Sequence, residues 1–252
     1  MALLSTIRDL HRRKARERRG LALAEGIRLV EEMLAAGVTC KGVAVGPSLE
    51  ETPRGAALRQ ELLARGIPIE SVGEQEFGEV AATEHPQGVV AVYVPREWGL
   101  DDLLPSPRHP QVILDGVQDP GNVGTIARTA LALGASGLIA LPGTADLENP
   151  KTLRAAMGAL FRLPHLHADD VAVLHWLGSH EVALWATAVD GEPILSGAPP
   201  RPIAVLLGNE GAGVRDDLLV RADRRVSIPI VPLAESLNVA VAAGIILHQV
   251  TR

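Results

Sequence analysis

Three stretches of this chain hold the residues best placed to do chemistry. The first is Asp119-Pro120-Gly121-Asn122-Val123-Gly124, which follows the apolar run Val112-Ile113-Leu114 and is followed by Arg128. A glycine-rich turn between a strand and a helix can present unpaired backbone N–H groups to an anion. Asn122 sits at the helix mouth, where its amide either caps the helix or binds a ligand. Arg128 lies about one and a half turns further in, among Ile, Ala, Thr and Leu. Its guanidinium either snorkels to solvent or meets a partner.

The second stretch is Gly208-Asn209-Glu210-Gly211-Ala212-Gly213, after Ala204 to Leu207. Its G-x-x-G-x-G spacing is not the G-x-G-x-x-G of a dinucleotide loop, and no acidic residue closes a following strand at the required distance. Three glycines still allow a backbone to approach a flat ligand closely. Glu210 either orients neighbouring groups or is a plain acid near a helix N-terminus. The third stretch runs from Ile228-Pro229-Ile230 to Asn238 and feeds a helix that is apolar nearly all round. Ser236 reads as an N-cap or as a functional hydroxyl. Asn238 has no evident structural need.

Other chemistries find little support. His165 and His167 lack further ligands at metal spacing, so no metal is expected. There is no G-x-S-x-G elbow and no Walker A loop. Cys40, the single cysteine, excludes an internal disulfide framework, suits a reducing cytoplasm and reads as a small core residue.

The elements that must position these residues alternate in type. Before residue 95 the expected order is a helix over 5–19, a strand Gly20–Ala24, a helix Ile27–Ala36 stopped by Gly37, a strand Val43–Val45, a helix Leu58–Ala64, a short strand near Ile69 and a strand Gly88–Val94. This is a small α/β domain over 1–95. The four prolines between Pro95 and Pro110 mark a linker, 96–109. Over 110–252 the pattern becomes β-loop-α-β, the unit of a parallel sheet: strand Val112–Leu114, helix Thr125–Leu133, strand Leu138–Leu141, helices Lys151–Leu160 and Val171–Leu177, strand Val182–Thr187, then two strands and a closing helix. The organising feature is the arrangement of loops at strand ends that feed helices, which is where open α/β sheets bind ligands.

The chain has 252 residues, 47% hydrophobic and 21% charged, a globular composition with only 2% aromatics. No apolar run reaches the length of a membrane span, and the basic N-terminus lacks the apolar core of a secretory signal. The net charge of −6 argues against a wholly basic nucleic-acid binder. Residues 1–20, however, carry seven basic side chains against two acids: Arg8, Arg12, Arg13, Lys14, Arg16, Arg18 and Arg19 against Asp9 and Glu17. The remainder has 17 basic and 28 acidic residues. A basic head on an acidic body either meets phosphates or is a solvated helical face.

The three stretches, in this order and at these strand ends, resemble the SpoU (TrmH-like) family of the SPOUT methyltransferases. The likeness runs from Val112 to Leu247 and is carried by LDGVQDPGNVGTIARTALALGASGLIAL, LLGNEGAGV and IPIVPLAESLNVAVAAGIILHQ. AEGIRLVEEMLAAG and HPQGVVAVYV in the first half are similar to an L30e-type RNA-binding fold. The resemblance implies an α/β parallel sheet with a C-terminal deep trefoil knot, a homodimer, and S-adenosylmethionine-dependent 2′-O-ribose methylation of RNA. By motif position Asn122, Arg128, Glu210, Ser236 and Asn238 fall on the family's catalytic positions. Thr187, Leu207, Gly208, Gly211, Ile228, Pro232 and Leu237 fall on cofactor-binding ones. Ala156 departs from the pattern, many members having Ser there. A guanidinium stays protonated in proteins, so Arg128 suits stabilisation of a developing alkoxide better than proton abstraction. A separate shape-reading domain favours ribosomal over transfer RNA; a non-catalytic RNA-binding or assembly factor is the alternative.

Overall fold

Residues 2–194, 199, 201–231 and 233–251 are described by the structure, a computed structural model. They form two units by contact: Met1–Arg96 with Glu148–Phe161, and Glu97–Leu147 with Arg162–Arg252.

The chain opens with two helices, α1 (Ala2–Leu10) and α2 (Arg13–Arg19), instead of the one expected over 5–19. Leu4, Ile7 and Leu10 are buried; an unbroken helix would carry Lys14 and Arg18 onto that same stripe. The break is sealed by Arg16, only 6% exposed, which donates to the carbonyls of Leu10 at 2.8 Å and His11 at 3.0 Å. Gly20, at φ 60°, ends α2 in the left-handed conformation that glycine adopts freely.

The first sheet is built from β1 (Ala22–Glu25), β2 (Cys40–Val45), β3 (Ile69–Ser71) and β4 (Val89–Tyr93), in the order β1-β4-β2-β3. Only β2 and β3 run parallel. Helix α3 (Ile27–Ala35) follows β1. Helix α4 (Pro53–Ala64) begins earlier than expected, because Thr52 caps it by accepting from Gly55 N and Pro53 fits the first turn. A short α5 (Glu74–Gly78) was not anticipated.

The second sheet has six strands, all parallel, in the order β10-β8-β9-β5-β6-β7. Its elements are β5 (Gln111–Asp115), α6 (Pro120–Ala132), β6 (Gly137–Ala140), β7 (His165–His167), α8 (Asp170–Ser179), β8 (Ala183–Pro193), β9 (Ile203–Gly208), α9 (Asp216–Leu219), β10 (Arg224–Ser227) and α10 (Val239–Val250). Strand alternation divides the core. Ile113, Ile139, Leu184 and Leu206 pack with Val173, Trp176 and Leu177 of α8, while α6 and α10 pack on each other and on β6 and β9. The proline-rich stretch is not free chain. Leu103 is buried in that core, so close that a Cβ at Gly137 would stand 2.3 Å from its methyl.

Two further expectations need correction here. Between β6 and β7, α7 (Pro150–Ala156) stops at Met157, whose φ of 50° breaks the helix expected to reach Leu160. Glu148–Phe161, expected within 110–252, belongs to the first unit by contact. Buried Glu25 has Arg154 at 3.6 Å, Tyr93 bonds to Glu148, and Phe161 meets Tyr93 edge-on at 5.4 Å. A carboxylate buried as Glu25 is demands a cation, and α7 brings it. Beyond Ser227, where β10 ends, residues 228–231 and 233–238 carry no helix or strand; Pro229 has no N–H for a ladder.

Candidate active site

β5 comes first in its sheet, yet β6 and β7 lie on one side of it and β9, β8 and β10 on the other. The strand order therefore reverses between β5 and β9, and the crevice at their carboxyl ends is where open α/β sheets bind ligands. Asp115, last in β5, pairs with Gly208, last in β9. The loops leaving both strands start side by side.

The loop after β9 is closed on itself. Asn209 and Gly213 exchange N–H···O bonds of 2.9 and 3.0 Å. The Asn209 side-chain oxygen accepts from Gly211 N and Ala212 N, each at 2.9 Å, while its Nδ2 donates to Gly116 O at 2.8 Å. Gly208 cannot be replaced: a Cβ there would stand 2.1 Å from the backbone of Gly213 and Val214. Sequence reading passed over Asn209, although a side chain able to mimic backbone is common in such turns.

Glu210, at the tip of this loop, reaches the first motif. Its carboxylate accepts from Gln118 N and Asp119 N at 3.2 Å and from Asn122 Nδ2 at 2.9 Å. Partial burial pushes its pKa up, but the bonds from Asn122 and from backbone N–H groups outweigh that and hold it below the ordinary value. Asn122 is not the cap of α6. Asp119 is, accepting from Gly121 N, which leaves the Asn122 amide free to bridge. Its Oδ1 accepts from Asn238 Nδ2 at 3.0 Å. Asn238 is in turn the N-cap of α10, its Oδ1 accepting from Ala240 N and Val241 N, the role expected of Ser236. Ser236 is exposed and makes no hydrogen bond among the described residues. Glu210, Asn122 and Asn238 thus tie the three motifs into one network.

Of the two courses open to it, Arg128 takes the outward one. It is exposed and makes no hydrogen bond or ion pair among the described residues; its position on α6 lets the chain snorkel outward. It lines an open groove of about 670 Å³ between α6 and α10, with Thr129, Ala240, Val241, Gly244 and His248 among the walls. The groove includes the first turn of α10, directly after Asn238.

Among the positions matched to cofactor contacts, Leu207 and Gly208 are buried at the end of β9. Half-buried Thr187 donates to Leu206 O at 3.1 Å. Gly211 is exposed in the sealed loop, Ile228 is half-buried just past β10, and Leu237 is 38% exposed beside Asn238. Pro232 lies outside the described residues. Backbone groups and aliphatic side chains at the ends of β9 and β10 suit an adenosyl group and a methionine chain, and no metal-ligating cluster occurs among the described residues. Burial pushes the Cys40 thiol up, as an inert cysteine requires.

The basic head is partly spent on structure. Arg16 is buried and cannot meet a phosphate, because its guanidinium closes α1. Arg8 pairs with Glu79, Arg13 with Glu17, and Arg18 and Arg19 with Asp9. Arg12 and Lys14 are exposed and without hydrogen bond or ion pair among the described residues.

Comparison with known proteins places these features. Residues 109–248 match the SpoU rRNA Methylase family, and residues 4–91 match an MRM3-like substrate binding domain. The chain is 36% identical over 244 residues to the 23S rRNA (guanosine(2553)-2′-O)-methyltransferase RlmP of Bacillus subtilis, covering 96% of this chain and 93% of that one. Among solved structures it resembles an AdoMet-bound rRNA methyltransferase from Sinorhizobium meliloti, with TM-score 0.86 and 33% identity over 98% of this chain and 93% of the other. It is also similar to the SpoU methyltransferase AviRb from Streptomyces viridochromogenes in complex with AdoMet, with TM-score 0.88 and 30% identity over 100% of this chain and 97% of the other. With its three loops joined at the sheet's reversal point, and with these likenesses over nearly its whole length, the chain belongs to the SpoU rRNA methylase family.

Proposed function

We propose that the protein is an S-adenosylmethionine-dependent 2′-O-ribose methyltransferase acting on ribosomal RNA of the 23S type. The observation that carries this reading is the Glu210–Asn122–Asn238 network, which draws together three loops distant in sequence, with Arg128 about one and a half turns further along the helix that bears Asn122. Support for the substrate comes from RlmP, named for 2′-O-methylation of a 23S rRNA guanosine, and support for the cofactor from the AdoMet-bound neighbours.

When bound, the cofactor supplies an electrophilic methyl group on sulfur. Everything else falls to this chain. The main chain of 207–211, 228–231 and 233–237, with Leu207, Ile228 and Leu237, would hold the adenosyl and methionine parts. A ribose hydroxyl is a poor nucleophile, so it must be held in line with the methyl group and helped to carry developing negative charge. Arg128 has an unengaged guanidinium for that charge. A guanidinium stays protonated in proteins, which suits Arg128 to stabilise the oxygen while solvent takes the proton. Glu210 fixes Asn122, Asn122 fixes Asn238, and Ser236 presents its hydroxyl to the nucleotide.

Residues 1–95 are proposed as an L30e-like RNA-reading domain, 96–109 as the linker and 110–252, apart from the Glu148–Phe161 stretch that groups with the first unit by contact, as the catalytic domain, whose C-terminal segment threads a deep trefoil knot. The α6–α10 groove, with Val241 52% exposed, is the face proposed to pair two copies into a homodimer. Ribosomal RNA as substrate is consistent with work in the cytoplasm. The test is transfer of labelled methyl from S-adenosylmethionine to unmodified 23S rRNA by the full chain, read as a 2′-O-methylnucleoside after nuclease digestion. Binding of that RNA with no transfer would favour the assembly-factor reading instead.

A further inference from the structure

Asp115 closes β5 with only 2% of its surface exposed. A carboxylate so buried is costly unless a cation and good hydrogen bonds meet it. Both come from Arg215, a hundred residues on: its backbone N donates to one Asp115 oxygen at 2.9 Å and its Nε to the other at 2.7 Å. The far side of the same guanidinium lies 2.8 Å from Asp170, the first residue of α8. Burial pulls the Arg215 pKa down, but hydrogen bonds to the two carboxylates more than reverse it, so the cation persists at any working pH.

The position of Arg215 gives this clamp its meaning. It follows directly on the Asn209–Val214 loop, which is sealed at its neck by the Asn209–Gly213 pair and seated at its tip by Glu210. Arg215 fixes the third point, where the loop passes into α9. A planar fork meeting two carboxylates sets orientation as well as distance, whereas a well-packed apolar side chain would supply comparable stability without the direction. Asp115 belongs to β5 and Asp170 to α8, so the loop is referenced to two rigid elements at once.

We propose that Arg215 is a positioning residue for methyl transfer: by pinning the loop exit to Asp115 and Asp170 it sets the place of Glu210, and through Glu210 the places of Asn122 and Asn238. The inference rests on the methyltransferase reading above. It assigns no contact with substrate to Arg215 itself.

The experiment compares the full chain with Arg215→Met, Arg215→Lys and Asp170→Asn. It measures S-adenosylmethionine affinity by calorimetry, kcat and KM on unmodified 23S rRNA, and urea unfolding. Arg215→Met is expected to lower kcat and cofactor affinity by about tenfold or more while the KM for RNA stays within about twofold. Lysine, able to meet one carboxylate as a point charge, is expected to recover part of the loss. Asp170→Asn, which leaves the Asp115 pair intact, is expected to lower kcat by about threefold. Should Arg215→Met fail to fold, the lysine and Asp170→Asn variants decide. Lower stability with kcat and cofactor affinity unchanged in the folded variants overturns the proposal and leaves Arg215 a structural ion pair. A wild-type chain that neither binds S-adenosylmethionine nor methylates ribose overturns the functional reading first, and this inference with it.

Discussion

Asn238 Nδ2 donates to Asn122 Oδ1 at 3.0 Å, across 116 residues of sequence. The same Asn238 side chain caps α10 through its oxygen. One residue therefore starts the last helix and orients the first motif, and the two roles can be separated. Asn238→Asp keeps the capping oxygen and adds a charge that a helix N-terminus favours, but it cannot donate to Asn122. Its unfolding midpoint in urea should match or exceed that of the wild type, with methyl transfer reduced at least about tenfold. Asn238→Ala should lose both, with about 1 kcal/mol of stability gone. Equal activity of the Asp variant and the wild type would remove the Asn122 bond from the mechanism.

Arg128 predicts the reverse combination. An exposed side chain without a partner contributes little to folding, so Arg128→Ala should change stability by less than about 0.5 kcal/mol and leave cofactor binding intact. Methyl transfer should be abolished. Arg128→Lys should stay poor, since a point charge does not replace the planar fork. Calorimetry with S-adenosylmethionine alongside an activity assay checks both statements.

Glu210 predicts a pH dependence. Its folded pKa lies below the ordinary 4.5, so the carboxylate form is the one the fold favours. Such a group contributes stability that is fully present above the unfolded value and is lost as pH falls through the lower folded one. The stability difference between wild type and Glu210→Gln should be constant at neutral pH and shrink below about pH 4.5. Urea midpoints of both proteins from about pH 7 to about pH 3 measure it. A difference that grows on acidification would contradict the bonding assigned to Glu210.

The basic head divides into structural and binding residues. Arg16→Ala should destabilise the first unit by breaking the seal between α1 and α2, since Arg16 is buried on the carbonyls of Leu10 and His11. Arg12→Ala and Lys14→Ala should leave stability unchanged and each lower the salt slope of RNA binding by about one. An unchanged slope in the double variant would make these residues ordinary surface.

How far the sequence can be read depends on the range of the interaction. The parallel sheet and the three loops were legible because apolar runs and glycine-rich turns are local signals. Arg128, Glu210 and Asn238 stood out as polar residues in apolar or glycine-rich settings, and all three lie at or beside the network. What local pattern could not supply was partnership. Nothing near Asp115 announces Arg215, and nothing near Ser236 announces that Asn238, two residues on, holds the cap. The split of the N-terminal helix was readable in principle, since the stripe of Leu4, Ile7 and Leu10 ends before Lys14. The grouping of Glu148–Phe161 with the first unit was not, because it rests on Glu25, Arg154, Tyr93 and Phe161 meeting in space.

The account stands or falls on where a methyl group goes. The full-length chain is incubated with unmodified 23S rRNA and methyl-labelled S-adenosylmethionine, and the RNA is digested to nucleosides. The expected result is label in a single kind of 2′-O-methylnucleoside, absent with Arg128→Ala although that variant still binds cofactor. Label on a base, or full ribose labelling by the Arg128 variant, would contradict it.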